Sequence, residues 1–370
     1  MTTAYSGDGI TFPDNSAQAT APKVGMVNRV INGDMRIDQR NAGASVTTAF
    51  AVDRWRPDTT NQATFTYQRN GGSVTPPTGF TNYLGITSTS AYTPATNTTS
   101  SIAQGIEGVN VSDLEWGTSN AQTVTLSFWV RSSLTGTHSG AVVNGGANNR
   151  SYVFSFAISS SNTWEQKSVT ISGDTTGTWP TDNTAGMYIR FNLGTGAGTY
   201  ASITTGWQVG NIVGLSNAVQ VSATNGATFY VTGVQLEKGS TATDFEYVDY
   251  SRQLQMCQRY YNIWSGTTAP STGLATCMAT GGTVPCSRRV SWSNPVEFRA
   301  QPTLSTGGTI QLYTFGLTNL VFTGFNSNFS RKNIVSFDAN STTSGTGGQC
   351  LWLIIDSTSS ANYIAASAEL

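Results

Sequence analysis

Between about residues 26 and 240, apolar and polar side chains alternate in short runs, and clusters of Gly, Asn, Asp and Ser separate the runs. Alternation with a period of two puts successive side chains on opposite faces of a sheet, so each run predicts a strand. The runs fall at 63–69, 123–131, 152–158, 165–171, 186–193 and 227–236. Residues 123–131 carry the strongest signal, with β-branched and aromatic side chains throughout. Many short strands with this punctuation predict a sandwich or jelly roll, and the pattern shows none of the strand–helix alternation of a parallel α/β fold.

The period changes once. Residues 249–262 contain neither Gly nor Pro, and Tyr250, Leu254, Cys257 and Tyr261 recur at i, i+4, i+7 and i+11. That spacing predicts a helix with one apolar face, with Asp249 as N-cap or first-turn anion. The face packs on a sandwich or pairs with copies of itself; two heptads are too few to specify a coiled coil. After the turn at 266–270, strand text resumes to the end, including 334–337 and 350–355. Before the first strands, residues 1–25 hold one apolar pair, Ile10 and Phe12, among turn and small polar residues. This segment cannot bury enough surface to fold alone. It is either a frayed terminus or an arm that orders by adding a strand to a partner, and the alternation of Ile10 with Phe12 favours the arm.

Charge narrows the partners. Of 370 residues only 11% are charged, with 19 Lys and Arg against 20 Asp and Glu. Nucleic-acid and anionic-lipid surfaces need clustered cations, so neither partner is expected. No apolar run is long enough for a transmembrane helix, and the first residues lack the basic start and apolar core of a secretory signal. The chain is therefore expected in the cytosol or outside the cell by another route.

Catalytic chemistry is poorly supplied. The single histidine, His138, sits in the loop-like run 134–140 without a GxSxG partner, and it rules out any two-histidine zinc site. The acid clusters Glu107, Asp113, Glu115 and Asp34, Asp38, Asp53 are of the kind that chance produces, and nothing in the sequence fixes their carboxyl separation. The Gly-rich run 194–199 is followed by no Lys or helix, so it reads as a strand connection. None of the four cysteines, Cys257, Cys277, Cys286 and Cys350, forms a CxxC pair. Free buried thiols are expected, with a Cys277–Cys286 hairpin disulfide as the alternative. No catalytic residue, metal or cofactor is expected.

The aromatics are the better lead, because flat rings stack on the apolar faces of sugars. Trp129 and Trp164 lie in or next to strand text and read as core. Trp116, Trp179, Tyr200 and Trp207 lie in turn-rich text and are the candidate glycan contacts.

Several stretches together resemble bacteriophage tail-fibre and other virion appendage proteins. They are Asn28-Arg-Val-Ile-Asn-Gly-Asp-Met-Arg-Ile-Asp-Gln-Arg-Asn41 with Val52-Asp-Arg-Trp55, Leu126-Ser-Phe-Trp-Val-Arg-Ser132 with 162–175, and Phe229-Tyr-Val-Thr-Gly-Val-Gln-Leu-Glu-Lys-Gly239 running into 245–261. The resemblance covers roughly residues 28–262, and the run 233–261 is its most specific part. Residues 9–14 look like the leading peptide of such fibres, and 294–304 are similar, less specifically, to their C-terminal β-domains.

The resemblance implies a carbohydrate-binding-module-like jelly roll and a virion structural role, commonly as a homotrimer. In related modules Asn32-Gly33-Asp34 and an acid in the last strand frame a structural calcium. Here the last strand lacks that Asp, so no calcium is expected. The resulting expectation is an all-β chain: a jelly-roll β-sandwich, one short helix and a smaller C-terminal β-domain. Its parts are a virion-anchoring arm (1–25), the jelly roll (26–245), a helix on a trimer axis (246–264) and a C-terminal β-sandwich (265–370). The expected function is host attachment by a trimeric tail fibre or receptor-binding appendage, made in the host cytoplasm and located in the virion. Its expected partners are other virion proteins, its own copies and host surface polysaccharide. A capsid decoration or head-fibre protein is the alternative. A depolymerase is disfavoured by the lone His, the unpaired acids and the lack of β-helix repeats.

Overall fold

The computed structural model describes residues 26–60, 65–198, 200–265, 272–278, 288–313, 320–341, 350–355 and 362–370, and three short backbone segments before residue 26. Those segments are β1 (Ala4–Ser6), β2 (Gly9–Thr11) and β3 (Ala17–Gln18), paired antiparallel in the order β1-β2-β3. The N-terminal segment thus pairs these short stretches of its main chain with one another.

Thirteen strands follow in the first large unit. They are β4 (Arg56–Thr59), β5 (Phe65–Arg69), β6 (Leu84–Ser88), β7 (Thr99–Glu107), β8 (Val124–Ser132), β9 (Gly136–Asn144), β10 (Arg150–Ile158), β11 (Glu165–Ile171), β12 (Ala185–Thr195), β13 (Ala201–Ser202), β14 (Gly206–Val209), β15 (Gly214–Leu215) and β16 (Thr228–Lys238). One sheet runs β14-β10-β9-β12-β7-β4, the other β11-β8-β16-β6-β5, and the chain crosses repeatedly between them in jelly-roll fashion. All pairings within these two sheets are antiparallel.

The period-two pattern explains the core. Val124, Leu126, Phe128 and Val130 of β8 point inward, as do Met187, Ile189, Phe191 and Leu193 of β12, and they join one cluster between the sheets. Strand β16 keeps its apolar residues inward only through a bulge. Thr232 pairs with Trp129 but Gln235 with Ser127, so one extra residue is inserted. Gly233 takes the left-handed conformation there, φ +59°, and the shift sets both Phe229 and Val231 before the bulge and Val234 and Leu236 after it in the core.

Helix α1 spans Tyr250–Gln258, and Asp249 caps it by accepting the Arg252 N–H at 2.9 Å. The helix is shorter than the sequence pattern suggested. Tyr261 lies beyond it, as the first residue of β17 (Tyr261–Ser265), and Tyr250 is 58% exposed. Leu254 and Cys257 of the expected seam pack within the same chain, against Ile31, Ile37 and Tyr260, and the Tyr261 ring lies under Arg40 at 3.5 Å. The helix face is taken up within the protomer, so α1 does not present the expected four-residue seam to a trimer axis.

The remaining strands are β18 (Thr272–Met278), β19 (Arg288–Ser293), β20 (Thr303–Gly307), β21 (Ile310–Tyr313), β22 (Leu320–Asn328), β23 (Ile334–Ser341), β24 (Cys350–Ile355) and β25 (Tyr363–Ser367). They form sheets β17-β25-β20 and β18-β24-β21-β22-β23-β19 around a second core of Val290, Phe298, Leu312, Phe337, Leu353 and Ile364, among others.

Candidate functional site

Three of the four sequence-derived glycan candidates pack against one another in the structure. Trp116 and Trp179 are only 6% and 8% exposed and stand edge to face, ring centres 4.7 Å apart. Trp207 closes the group at 5.5 Å and 5.8 Å from them and donates its indole N–H to the Ser172 carbonyl at 3.0 Å. The rings pack on one another and on the core, which leaves Trp116 and Trp179 no free face for a sugar. Trp207 lies not in a turn but in β14, opposite Tyr152 of β10. Tyr200 is half-buried, stands outside this trio, and accepts the Val213 N–H through its carbonyl. Of the arm residues, Ile10 lies in β2 and Phe12 lies outside the described residues.

His138 is also corrected. It lies in β9, fully buried, not in a loop. Its ring stacks on Phe156 at 5.8 Å and tilts against Phe229, and one nitrogen, Nε2, meets the Leu134 carbonyl at 3.1 Å. Burial pushes its pKa below the usual histidine value. It is a core residue without access to substrate.

The Asn32-Gly33-Asp34 turn serves the fold. Asn32, at φ 58°, donates through its side-chain amide to the Ile37 and Asp53 carbonyls and accepts the Ile37 N–H, each at 2.9 Å. Asp34 pairs with Arg36, and burial raises its pKa. Among the described residues no group of three or more His, Cys, Asp or Glu side chains is placed to hold a metal. Cys257 is buried, with its pKa pushed up by burial. The Cys277–Cys286 question lies outside the described side chains.

A candidate surface not read from the sequence lies on β8. On β8, Ser127, Trp129 and Arg131 point away from the core, because Leu126, Phe128 and Val130 point into it. Trp129, read from the sequence as a core residue, is therefore half-buried on the outer face of the five-stranded sheet. Gln166 of β11 stands directly opposite it in register. A strap of residues 240–248 doubles back beside this face. Together Ser127, Trp129, Gln166, Gly233, Phe80 and strap residues 243–245 and 247 enclose a groove of about 430 Å³.

Buried polar side chains hold the strap. Gln235 donates to the Asp244 carbonyl at 3.2 Å and accepts the Glu246 N–H at 2.8 Å. Glu237 accepts the Thr243 N–H at 2.7 Å and its hydroxyl at 2.8 Å. Glu246 in turn accepts the Asn28 N–H at 2.7 Å. One wall is aromatic: Phe80, Phe245 and Tyr247 meet with ring centres 5.1–5.7 Å apart. The bulge glycine makes room for it, since a Cβ on Gly233 would come within 2.6 Å of Phe80 and 3.2 Å of Trp129.

The groove thus joins apolar rings to polar groups. Among the described residues, the Gln166 amide and the Asp244 carboxylate line it without a hydrogen bond or ion pair inside the chain. On the same sheet Thr232 donates its hydroxyl to the Asn82 carbonyl at 2.7 Å.

No protein family matches the sequence, and no curated protein matches it. Among solved structures the chain is similar to the enzymatically active domain of bacteriophage CBA120 tailspike protein 4, at 14% identity and a TM-score of 0.32, over 58% of this chain and 22% of that one. It is also similar to a CBM4 structure, at 13% identity and a TM-score of 0.30, over 56% of this chain and 98% of that one. A third is the family 11 carbohydrate-binding module of the cellulase Lic26A-Cel5E of Clostridium thermocellum, at 13% identity and a TM-score of 0.28, over 55% and 98%. The chain spans less than a quarter of the tailspike domain's length, and likenesses this distant carry no functional argument.

Proposed function

We propose that the protein is a glycan-binding structural component of a bacteriophage virion, and that the groove over Trp129 holds the sugar. The observation that carries the reading is the pairing of a half-buried indole with two exposed polar side chains, Gln166 and Asp244, that have no partner among the described residues. A sugar needs both kinds of surface, an apolar platform for its ring and donors or acceptors for its hydroxyls.

The same groove supports binding without cleavage. Glycoside hydrolysis takes two carboxyl groups flanking the scissile bond, and Asp244 is the one acid lining the groove. The virion role, as a trimeric tail fibre or receptor-binding appendage, is supported by the resemblance of residues 28–262. With the α1 face occupied inside the protomer, a trimer would assemble through other surfaces.

Binding of the full chain to an oligosaccharide array, compared with a Trp129→Ala variant, tests the site. A loss of about 10-fold or more in affinity is expected, the equivalent of one stacking contact near 1.4 kcal/mol. Glycan binding indifferent to Trp129 would move the site elsewhere. Light scattering on the purified chain tests the trimer, and copy number relative to the capsid protein distinguishes a tail appendage, at a few to tens of copies, from a capsid decoration.

A further inference from the structure

The groove's electrostatics point to a narrower ligand class than glycans in general. We propose that it selects neutral hexose chains and rejects uronate- or sialate-bearing ones, with Asp244 as the residue that sets the choice. This rests on the groove being the glycan site.

Of the side chains that line the groove, Asp244 alone is charged; the rest are aromatic, hydroxyl, amide or glycine. Among the described residues no cation pairs with it; Arg36, beside the strap, pairs with Asp34 and donates to the Val248 carbonyl at 2.6 Å. The neighbouring Arg131, two residues along β8 from Trp129, is turned away: its Nε donates to the Asn162 carbonyl at 3.0 Å and its guanidinium lies 5.3 Å from the Tyr230 ring. Lys167 is paired with Glu165 at 2.6 Å. A carboxylate accepts hydrogen bonds and donates none, so Asp244 fits the hydroxyls of an unmodified hexose, and two adjacent hydroxyls can meet its two oxygens. A uronate or sialate placed on Trp129 would bring a second carboxylate into the same groove with no donor cation to offset the repulsion. Gln166, across the groove floor, offers both a donor and an acceptor and discriminates against neither class.

Asp244 is well placed for a clean test. Its side chain is exposed and makes no contact that the fold uses, while its main-chain carbonyl holds the strap and is unaffected by substitution. Titration calorimetry of the full chain against cello-, manno- and galacto-hexaose, and against size-matched oligogalacturonate, oligomannuronate and oligosialic acid, gives the comparison. At least one neutral oligosaccharide is expected to bind about 10-fold or more tightly than every acidic one. Asp244→Asn should weaken the neutral ligand by about 10-fold, the loss expected for a charge-assisted hydrogen bond, and narrow the neutral-to-acidic ratio. Asp244→Lys should admit the acidic oligosaccharides. Trp129-dependent binding that favours an acidic oligosaccharide, or a ratio unchanged in Asp244→Asn, would overturn the selection and leave the groove as the glycan site. Absence of any Trp129-dependent binding would overturn both.

Discussion

Arg259 closes on Glu107 with two parallel hydrogen bonds, Nε to one carboxylate oxygen and Nη2 to the other, each 2.8 Å long and spanning 152 positions of sequence. Glu107 ends β7 and is fully buried; Arg259 is the C-cap of α1, and its carbonyl accepts the Arg299 N–H at 2.9 Å. One fork thus ties the jelly roll, the helix and the C-terminal sheets together. Beside it Arg54 is buried against Glu369, donates to the Gly105 carbonyl at 2.6 Å and lies 3.5 Å over the Tyr260 ring. A chain with few charges has concentrated several of them at one junction. Breaking a buried pair from one side strands the other charge, at a cost of roughly 3–5 kcal/mol. Arg259→Met is therefore expected to lower the unfolding free energy by about 3 kcal/mol in urea denaturation. Glu107→Gln with Arg259→Met should cost less than Arg259→Met alone, because no buried carboxylate remains. A double variant as unstable as the sum of its parts would show that the pair does not act as a unit.

The β-sandwich and its core were legible because burial imposes the period-two pattern directly: Leu126, Phe128 and Val130 announce an inward face. The same pattern carried the position of Trp129, since an inward Phe128 forces its neighbour outward. The ring's hydrophobicity outweighed its parity, and the reading placed it in the core. The site itself was beyond local pattern. The strap lies more than a hundred residues from Trp129, and only pairing through β16, with its bulge at Gly233, brings the two together. His138 looked like a loop residue because Gly136, Gly140 and two Thr surround it. In β9 those small residues leave room instead: a Cβ on Gly140 would come within 2.5 Å of the Phe154 ring. The seam at Tyr250, Leu254, Cys257 and Tyr261 failed for the opposite reason, because periodicity cannot show that a helix ends at Gln258 and a strand begins three residues later.

Gly33 is a close approach, not a flexible joint. Its carbonyl accepts the Val234 N–H at 3.0 Å, and an added Cβ would lie 2.1 Å from the Val234 carbonyl oxygen. That oxygen is main chain in a buried strand and also accepts from the Asn28 amide at 3.0 Å, so it cannot swing aside. Gly33→Ala should destabilise the fold by about 2 kcal/mol or more, seen as a lower melting temperature. Gly226→Ala is the control for general loss of glycine, since nothing lies within 4 Å of its added Cβ; its φ of +77° predicts a strain cost of only about 1 kcal/mol.

As the chain's single histidine, His138 gives one unambiguous imidazole resonance. Burial disfavours its charged form, so its folded pKa lies below the unfolded value. The stability that follows is fully present above the unfolded pKa, near 6.5, and is lost as pH falls from there toward the folded pKa. The resonance should titrate with a midpoint below 6.5, and His138→Leu should reduce the loss of stability as pH falls below 6.5. A midpoint at or above 6.5 would contradict the buried, neutral ring.

Asp53 predicts a dependence of the opposite sign. Burial raises its carboxyl from 3.8 to about 6, only partly offset by Arg40. A carboxyl with a raised folded pKa favours the protonated fold, so its contribution is greatest below 3.8 and declines as pH climbs through about 6. The stability of the native chain relative to Asp53→Asn should therefore fall between pH 4 and pH 7. A flat difference across that range would mean that Arg40 and the Gln39 donors outweigh burial.

Gln235 positions the groove without lining it. Its amide is buried and reaches the strap at Thr243, Asp244 and Glu246, so it ties the β16 bulge to the residues that present Asp244, Phe245 and Tyr247. Gln235→Ala removes those bonds, leaves the Glu246 N–H without its acceptor and leaves the Asp244 carbonyl only the Thr243 hydroxyl at 3.5 Å, a loss of about 1–3 kcal/mol. Because the core side of β16 is untouched, the cost should fall on the strap. Limited proteolysis should cut first within residues 240–248, and affinity for the groove's oligosaccharide should fall several-fold while the global melt shifts modestly. Gln235→Glu separates positioning from packing. It keeps the shape and still accepts the Glu246 N–H, but it sets a second buried carboxylate against Glu237, 3.0 Å from the present amide nitrogen. If the strap is held by that amide, binding by Gln235→Glu should weaken as pH rises and the new carboxyl ionises, and the native chain should show no such change.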